Sequence, residues 1–151
     1  MKKKYYIDIQ YSHKNYIPIK IKTIIFWAKL ILKNLIKTAE ITIKFVCPNE
    51  IIQLNYLYRK KNKITNILSF PSSISTYKKL NYHFLGDIII CTKILKIESK
   101  KIAQPFKKYL AFIIIHGILH LLGFNHIKKK EKTIMKNLEN KLLIKLGFKL
   151  K

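Results

Sequence analysis

Hydrophobic and polar positions follow two periods along the chain, and each period predicts one kind of secondary structure. Alternation with a period of two predicts β-strands at residues 6–11 and 41–46. Short apolar runs at residues 67–70 and 85–91 predict two further strands, the first of them directly before Pro71. The pattern therefore predicts a sheet of about four strands.

Helical spacing of apolar residues fills the segments between these strands. It predicts a long amphipathic helix at residues 21–35 and a second helix that begins at Pro48 and runs to Arg59. Three more helices are expected at residues 93–101, 107–122 and 134–146, the last ended by Gly147, whereas residues 71–83 are expected to form an exposed loop. We therefore predict one small domain over residues 1–151, with helices packed on a mixed sheet.

The helix predicted at residues 107–122 carries the most informative polar residues of the chain. His116 and His120 are spaced to project from one helix face, with Cβ atoms roughly 5–6 Å apart. Gly123 can end the helix in the left-handed conformation, which lets His126 return as a third ligand. Three imidazoles with an open fourth position are typical of catalytic zinc, so we predict one Zn²⁺ per chain at these histidines.

The spacing also matches the zinc-protease pattern H-E-x-x-H-x-x-G-x-x-H, with one departure. Gly117 stands where the protease has the glutamate that takes a proton from the metal-bound water. Peptide hydrolysis is therefore disfavoured. The alternative is that the histidines are ordinary core residues of an apolar helix.

The net charge of +24 indicates a polyanionic partner, such as RNA, DNA or anionic lipid. A/T-rich codon usage, which also enriches lysine, isoleucine and asparagine, is an alternative source of part of this charge. Arg59 is the only arginine among 31 basic residues. A planar guanidinium can bind phosphate through two hydrogen bonds, which lysine cannot do, so Arg59 is a candidate catalytic residue unless its survival is chance.

Cysteine usage and the apolar segments favour a cytoplasmic protein that does not enter a membrane. Cys47 and Cys91 are isolated, and the first residues lead into alternation rather than into an apolar signal segment. The longest apolar stretch, residues 109–124, is shorter than the roughly 20 residues of a membrane span and contains two histidines. It is expected to be a buried helix.

Four runs in order resemble motifs of the YbeY endoribonuclease family over nearly the whole chain. They are residues 54–59 (LNYLYR), 65–71 (TNILSFP), 85–91 (LGDIIIC) and 116–126 (HGILHLLGFNH). The resemblance implies a zincin-like α+β fold. It also implies a zinc-dependent, single-strand-specific endoribonuclease that matures ribosomal RNA, especially the 3′ end of 16S RNA, and acts in ribosome quality control. The implied partners are single-stranded RNA, the small ribosomal subunit and a ribosome-associated GTPase. His116, His120 and His126 stand at the family's metal ligands and Arg59 at its catalytic arginine.

Two departures from the family pattern lie beside these residues. Asn125 replaces the usual aspartate before the third histidine, so a carboxylate that could orient a metal ligand is missing there. Residues 60–62 read Lys-Lys-Asn instead of Gly-Lys-Asp, which changes the flexibility of the loop and adds charge beside the site.

Several alternatives stay open at this point. The metal could activate water, or a ribose 2′-hydroxyl could attack its own phosphodiester. Ser69 and Asp87 are candidates to lie near the site, although turn or strand-end roles also explain them. The rival functions are a metal-dependent hydrolase of a small substrate, a non-catalytic RNA-binding module for ribosome assembly and, more weakly, a membrane-surface protein.

Overall fold

The computed structural model of the chain describes residues 4–72, 84–125 and 127–150. The four predicted strands and five predicted helices are confirmed, and a short 3₁₀ helix, Lys14–Tyr16, lies between the first strand and the first helix. Most of the loop predicted at residues 71–83 lies outside the described residues. The strands are β1 (Lys4–Tyr11), β2 (Thr38–Val46), β3 (Ile67–Pro71) and β4 (Phe84–Cys91). The helices are α1 (Ile21–Lys33), α2 (Pro48–Arg59), α3 (Thr92–Lys101), α4 (Phe106–Leu121) and α5 (Lys129–Lys145).

The four strands form one mixed sheet in the order β1-β2-β4-β3. β1 pairs with β2 and β2 with β4 in parallel, whereas β3 pairs with β4 antiparallel. The parallel β1–β2 pair needs a crossover, and α1 supplies it. In the described part of the chain β3 is therefore an edge strand.

The two faces of the sheet are covered to different extents. Ile88 and Ile90 of β4 point into a large core shared with α1, α4 and α5. Ile89 and Cys91, the alternate residues, point into a small core with Ile51 of α2. The large core holds most of the fully buried side chains, each of which stabilises the fold by about 1.5–3 kcal/mol.

Helix α4 is the central helix of the large core. Leu110, Ile114 and Ile118 are fully buried, so one side of the helix faces the sheet and its neighbouring helices. The helix ends as predicted: Gly123 has φ +95°, and the amide of Phe124 donates to the carbonyl of Leu119 at 3.0 Å.

None of the helices in the described ranges combines the length and the apolar character that a membrane span requires.

Candidate active site

His116 and His120 project side by side from the last turns of α4. Their ring centroids lie 4.5 Å apart with planes at 78°, and the two Nε2 atoms are 3.0 Å apart. In a tetrahedral zinc site with Zn–N bonds of about 2.0–2.1 Å, two ligand nitrogens lie about 3.3 Å apart. The Nε2 pair is therefore spaced to grip one ion after only a small adjustment.

Gly117, between the two histidines, faces the sheet rather than the solvent. A Cβ atom there would meet Cδ1 of Ile67 at 2.9 Å and the side chain of Ile88 at 3.2 Å. The helix thus packs closely on β3 and β4, and a larger side chain at position 117 would require Ile67 and Ile88 to shift. A glutamate in place of Gly117 would therefore be crowded by the sheet.

Glu139 of α5 orients His116. Its Oε2 atom lies 2.6 Å from Nδ1 of His116, and the residue is 7% exposed. Because an ionised carboxylate only accepts, Nδ1–H donates and the lone pair stays on Nε2, the atom that faces His120. This tautomer is the one that a metal ligand needs, and such a carboxylate partner fixes the orientation of the ring.

Sequence reasoning missed Glu139, although a signal was present. The chain has only 7 acidic residues, and Glu139 falls on the apolar stripe of α5 between Met135 and Leu142, which are both buried. A buried carboxylate on a helix in so basic a chain usually has a partner. Asn125, the position singled out for a missing carboxylate, instead accepts a hydrogen bond from the amide of Ile127 at 3.3 Å.

The third predicted ligand, His126, lies outside the described residues. Within residues 4–72, 84–125 and 127–150, no group of three or more His, Cys, Asp and Glu side chains could hold a metal ion. The described part thus supplies two imidazoles at ligand spacing, and Glu139 leaves the lone pair of His116 on Nε2. A third ligand at His126 stays a prediction.

Arg59, the last residue of α2, faces the histidines across an open cavity. Its Nη2 donates to the carbonyl of Ser69 on β3 at 3.4 Å, and the side chain is exposed. The cavity has a volume of about 390 Å³ and is lined by Arg59, Thr65, Asn66, Ile67, Ser69, Pro71, His116 and His120. Ser69, for which a turn or strand-end role was the alternative, therefore lies at the site. The cavity can hold an anionic group between a guanidinium and two imidazoles.

A side-chain hydrogen bond from Asn55 stabilises the turn after Arg59. This residue is 4% exposed, and its Nδ2 donates to the carbonyl of Lys63 at 3.0 Å. Lys60 adopts the left-handed conformation, with φ 58°, at the position where the family has glycine. A side chain in this conformation costs roughly 1–2 kcal/mol, so the turn after Arg59 forms at some expense of stability.

Asn66 is tied to two helices on the far side of the cavity. Its Nδ2 donates to Oε1 of Glu98 at 3.0 Å, and the Tyr109 hydroxyl donates to the same oxygen at 3.0 Å. Burial, together with the Glu98 carboxylate, raises the pKa of Tyr109 to about 12. The network joins Asn66, the residue before β3, to α3 and α4.

Asp87 does not line the cavity. It pairs with Thr42 and Phe70 in the sheet register. Burial raises the pKa of its carboxyl group, while a hydrogen bond with the Thr42 side chain acts in the opposite direction. The structure thus favours the alternative, a strand residue.

Comparisons with known proteins agree with the fold and these motifs. The family model for Endoribonuclease YbeY matches residues 8–147. A protein of that name from Legionella pneumophila (strain Corby) is 42% identical over 144 residues, which cover 95% of this chain and 91% of the relative. Another from Buchnera aphidicola subsp. Acyrthosiphon pisum (strain APS) is 45% identical over 146 residues, with 95% and 92% covered. The chain belongs to the YbeY endoribonuclease family.

A solved structure supports the architecture independently. The solution structure of TM1509 from Thermotoga maritima superposes with a TM-score of 0.65 at 26% sequence identity. The match covers 93% of this chain and 88% of that one. The α+β fold predicted from the sequence is therefore confirmed.

Proposed function

We propose that the chain is a zinc-dependent endoribonuclease that cleaves single-stranded RNA and matures ribosomal RNA at the 3′ end of the small-subunit RNA. The observation that carries this proposal is the shared cavity of Arg59, His116 and His120. It combines a candidate metal-binding pair with a group that binds phosphate. Membership of the YbeY family supports RNA as the substrate.

The two sides of the cavity have different functions: one binds the metal ion and the other binds the phosphate. His116 and His120, with His126 as the third ligand, hold the zinc ion, and Glu139 keeps His116 in the ligating tautomer. A zinc ion at such a site supplies Lewis-acid polarisation of a phosphoryl oxygen and acidifies water. Arg59 binds a non-bridging phosphate oxygen and stabilises the charge that develops there.

The surroundings of Arg59 favour a polynucleotide over a small substrate. Lys60, Lys61 and Lys63 follow Arg59 and are exposed, so the mouth of the cavity is strongly basic. Tyr58 is 67% exposed, and its ring lies 5.1 Å from that of Phe70. Exposed aromatic rings beside cations are typical of proteins that bind single strands, because unpaired bases stack on them.

The family resemblance and the charge extend the proposal to the cellular context. The net charge of +24 suits the ribosomal RNA of the small ribosomal subunit as a partner. A ribosome-associated GTPase, a role in ribosome quality control and a cytoplasmic location complete the proposal. Two alternatives give distinct outcomes in the same assay: a small-substrate hydrolase and a non-catalytic assembly factor.

The test is cleavage of a single-stranded RNA and of the same sequence in a duplex by protein purified without chelator. We expect cleavage of the single strand, loss of cleavage after chelation and recovery on adding Zn²⁺. His13→Ala is a matched control, because His13 is an exposed histidine at the start of the 3₁₀ helix. Tight RNA binding with no cleavage at any zinc concentration would contradict the enzyme and leave the assembly factor.

A further inference from the structure

Three rings follow one another along a single face of α4 and lead away from the cavity. Tyr109, Phe112 and His116 are spaced three and four residues apart, which places them on one side of the helix. The Tyr109 and Phe112 rings are nearly parallel, 18° apart in plane with centroids at 6.4 Å. The Phe112 and His116 rings follow at 5.9 Å. His116 is therefore the end of an aromatic row.

A groove runs along this row between α4 and α5. One cavity of about 290 Å³ includes Phe112, His116 and Lys132 in its lining. A second cavity of about 510 Å³ continues from it, because both are lined by Phe112, Lys136 and Asn140. His116 also lines the cavity of Arg59, so this histidine lies between the groove and that cavity. We call the two joined cavities the α4–α5 groove.

The charged side chains that line the groove are three lysines and one glutamate. Lys108, Lys132 and Lys136 line it, and Lys132 and Lys136 are exposed. Glu139, which also lines it, accepts the hydrogen bond of His116. Apolar and aromatic side chains line the groove together with the lysines. This arrangement suits a single strand whose bases contact the rings and whose phosphates contact the lysines. An apolar helix from a protein partner would not need the lysines.

We propose that the α4–α5 groove binds the nucleotides of a single-stranded RNA on one side of the cleaved bond, with a base against Phe112 and phosphates at Lys132 and Lys136. The inference rests on the proposed function and deepens it, because it assigns a path to the substrate. RNA that enters past Arg59 leaves along the aromatic row of α4. Duplex RNA has no unstacked base to offer Phe112, so the groove also favours single strands.

The first experiment compares two charge reversals of equal size. The variant Lys132→Glu/Lys136→Glu changes the groove, whereas Lys22→Glu/Lys29→Glu makes the same change at exposed positions of α1. Fluorescence anisotropy measures binding of a single-stranded oligonucleotide of about ten nucleotides and of a dinucleotide. We expect the groove variant to weaken binding of the longer RNA about tenfold more than the control does, since local phosphate contacts add to the general charge effect. The dinucleotide, too short to reach along the groove, should not separate the two variants.

The second experiment tests stacking with Phe112→Leu against Phe26→Leu. Phe26 lies on α1 and is 63% exposed, so its loss controls for removal of a surface ring. Fluorescence of 2-aminopurine in the oligonucleotide should be quenched by wild-type protein and by Phe26→Leu, but much less by Phe112→Leu. Circular dichroism of each variant checks that the fold is kept.

The outcomes separate the groove from the catalytic proposal. Equal RNA affinities for the groove and α1 variants, with equal quenching, would overturn the groove even if wild-type protein cleaves RNA. Wild-type protein that does not cleave RNA but binds it with the predicted dependence on length and on Phe112 would overturn the proposed function and support the groove.

Discussion

The two halves of the candidate site are built differently. The histidine half lies on α4, where the Glu139 carboxylate holds His116 at 2.6 Å and is itself 7% exposed. The arginine half lies at the exposed end of α2, where a single 3.4 Å hydrogen bond joins Arg59 to Ser69 on the edge strand. His116 is thus held by a buried partner, whereas Arg59 is exposed at the end of its helix.

This difference matches the demands of the two proposed ligands, a metal ion and an RNA phosphate. A metal ion tolerates little change in ligand position, so pre-orientation by buried partners strengthens its binding. A phosphate of a flexible single strand arrives in many orientations, and an exposed arginine can follow it. Variants of the two halves should therefore fail in different ways: the histidine half through loss of metal, and the arginine half with metal retained.

The largest effect is expected in the histidine half. His116→Ala should lower single-turnover RNA cleavage by about a thousandfold or more, equivalent to about 4 kcal/mol, because Lewis-acid stabilisation is lost with the metal. His13→Ala should cleave as the wild type does. Cleavage by His116→Ala within about tenfold of the wild-type rate would show that the histidine half is not catalytic.

The next largest effect concerns the geometry of the arginine half. Arg59→Lys keeps the charge but loses the planar pair of donors. We expect cleavage to fall about tenfold to a hundredfold, equivalent to about 1.4–2.8 kcal/mol, with zinc content and most of the RNA affinity retained. Single-turnover rates and zinc analysis of both proteins test this. Equal rates would mean that Arg59 is one more surface cation.

Removing the carboxylate behind the histidines should weaken metal binding without removing a ligand. Glu139→Gln is expected to lower zinc affinity about tenfold, because the amide polarises His116 less than a carboxylate does. Competition with a chromophoric chelator measures the affinity, independently of any cleavage. Glu131→Gln, in the first turn of the same helix, is the control. Equal affinity of all three proteins would remove Glu139 from the metal site.

The smallest effect concerns the stability of the turn that follows Arg59. Lys60→Gly should raise the free energy of unfolding by about 0.5–1 kcal/mol, since glycine adopts φ 58° without strain but loses more entropy on folding. Denaturant unfolding of the variant and of Lys61→Gly, which relieves no positive φ, measures the gain. A lower stability for Lys60→Gly would mean that the Lys60 side chain makes a contact that outweighs its strain.

The sequence predicted those features that depend on local pattern. The alternation in β1 and β2, the helical stripe of α1 and the glycine at the end of α4 all follow from periods and turn chemistry that act over a few residues. The family motifs also gave the places of Arg59, His116 and His120 in the chain, and the structure brings these three residues to one cavity.

The missed features depend on contacts between distant segments. Glu139 reaches His116 only because α5 packs against α4, and no local spacing connects residues 23 apart on two helices. Gly117 was noted in the sequence, but its packing against Ile67 and Ile88 on the sheet could not be predicted from local pattern. The α4–α5 groove likewise appears only when two helices are placed together.

Elemental analysis tests most directly whether His116 and His120 are two of the ligands of a zinc ion. Protein purified without chelator should contain about one zinc ion per chain, as should His13→Ala, whereas His116→Ala/His120→Ala should contain almost none. Circular dichroism would verify that the double variant is folded. Stoichiometric zinc retained by the folded double variant would contradict the account, because the metal would then be bound elsewhere in the chain.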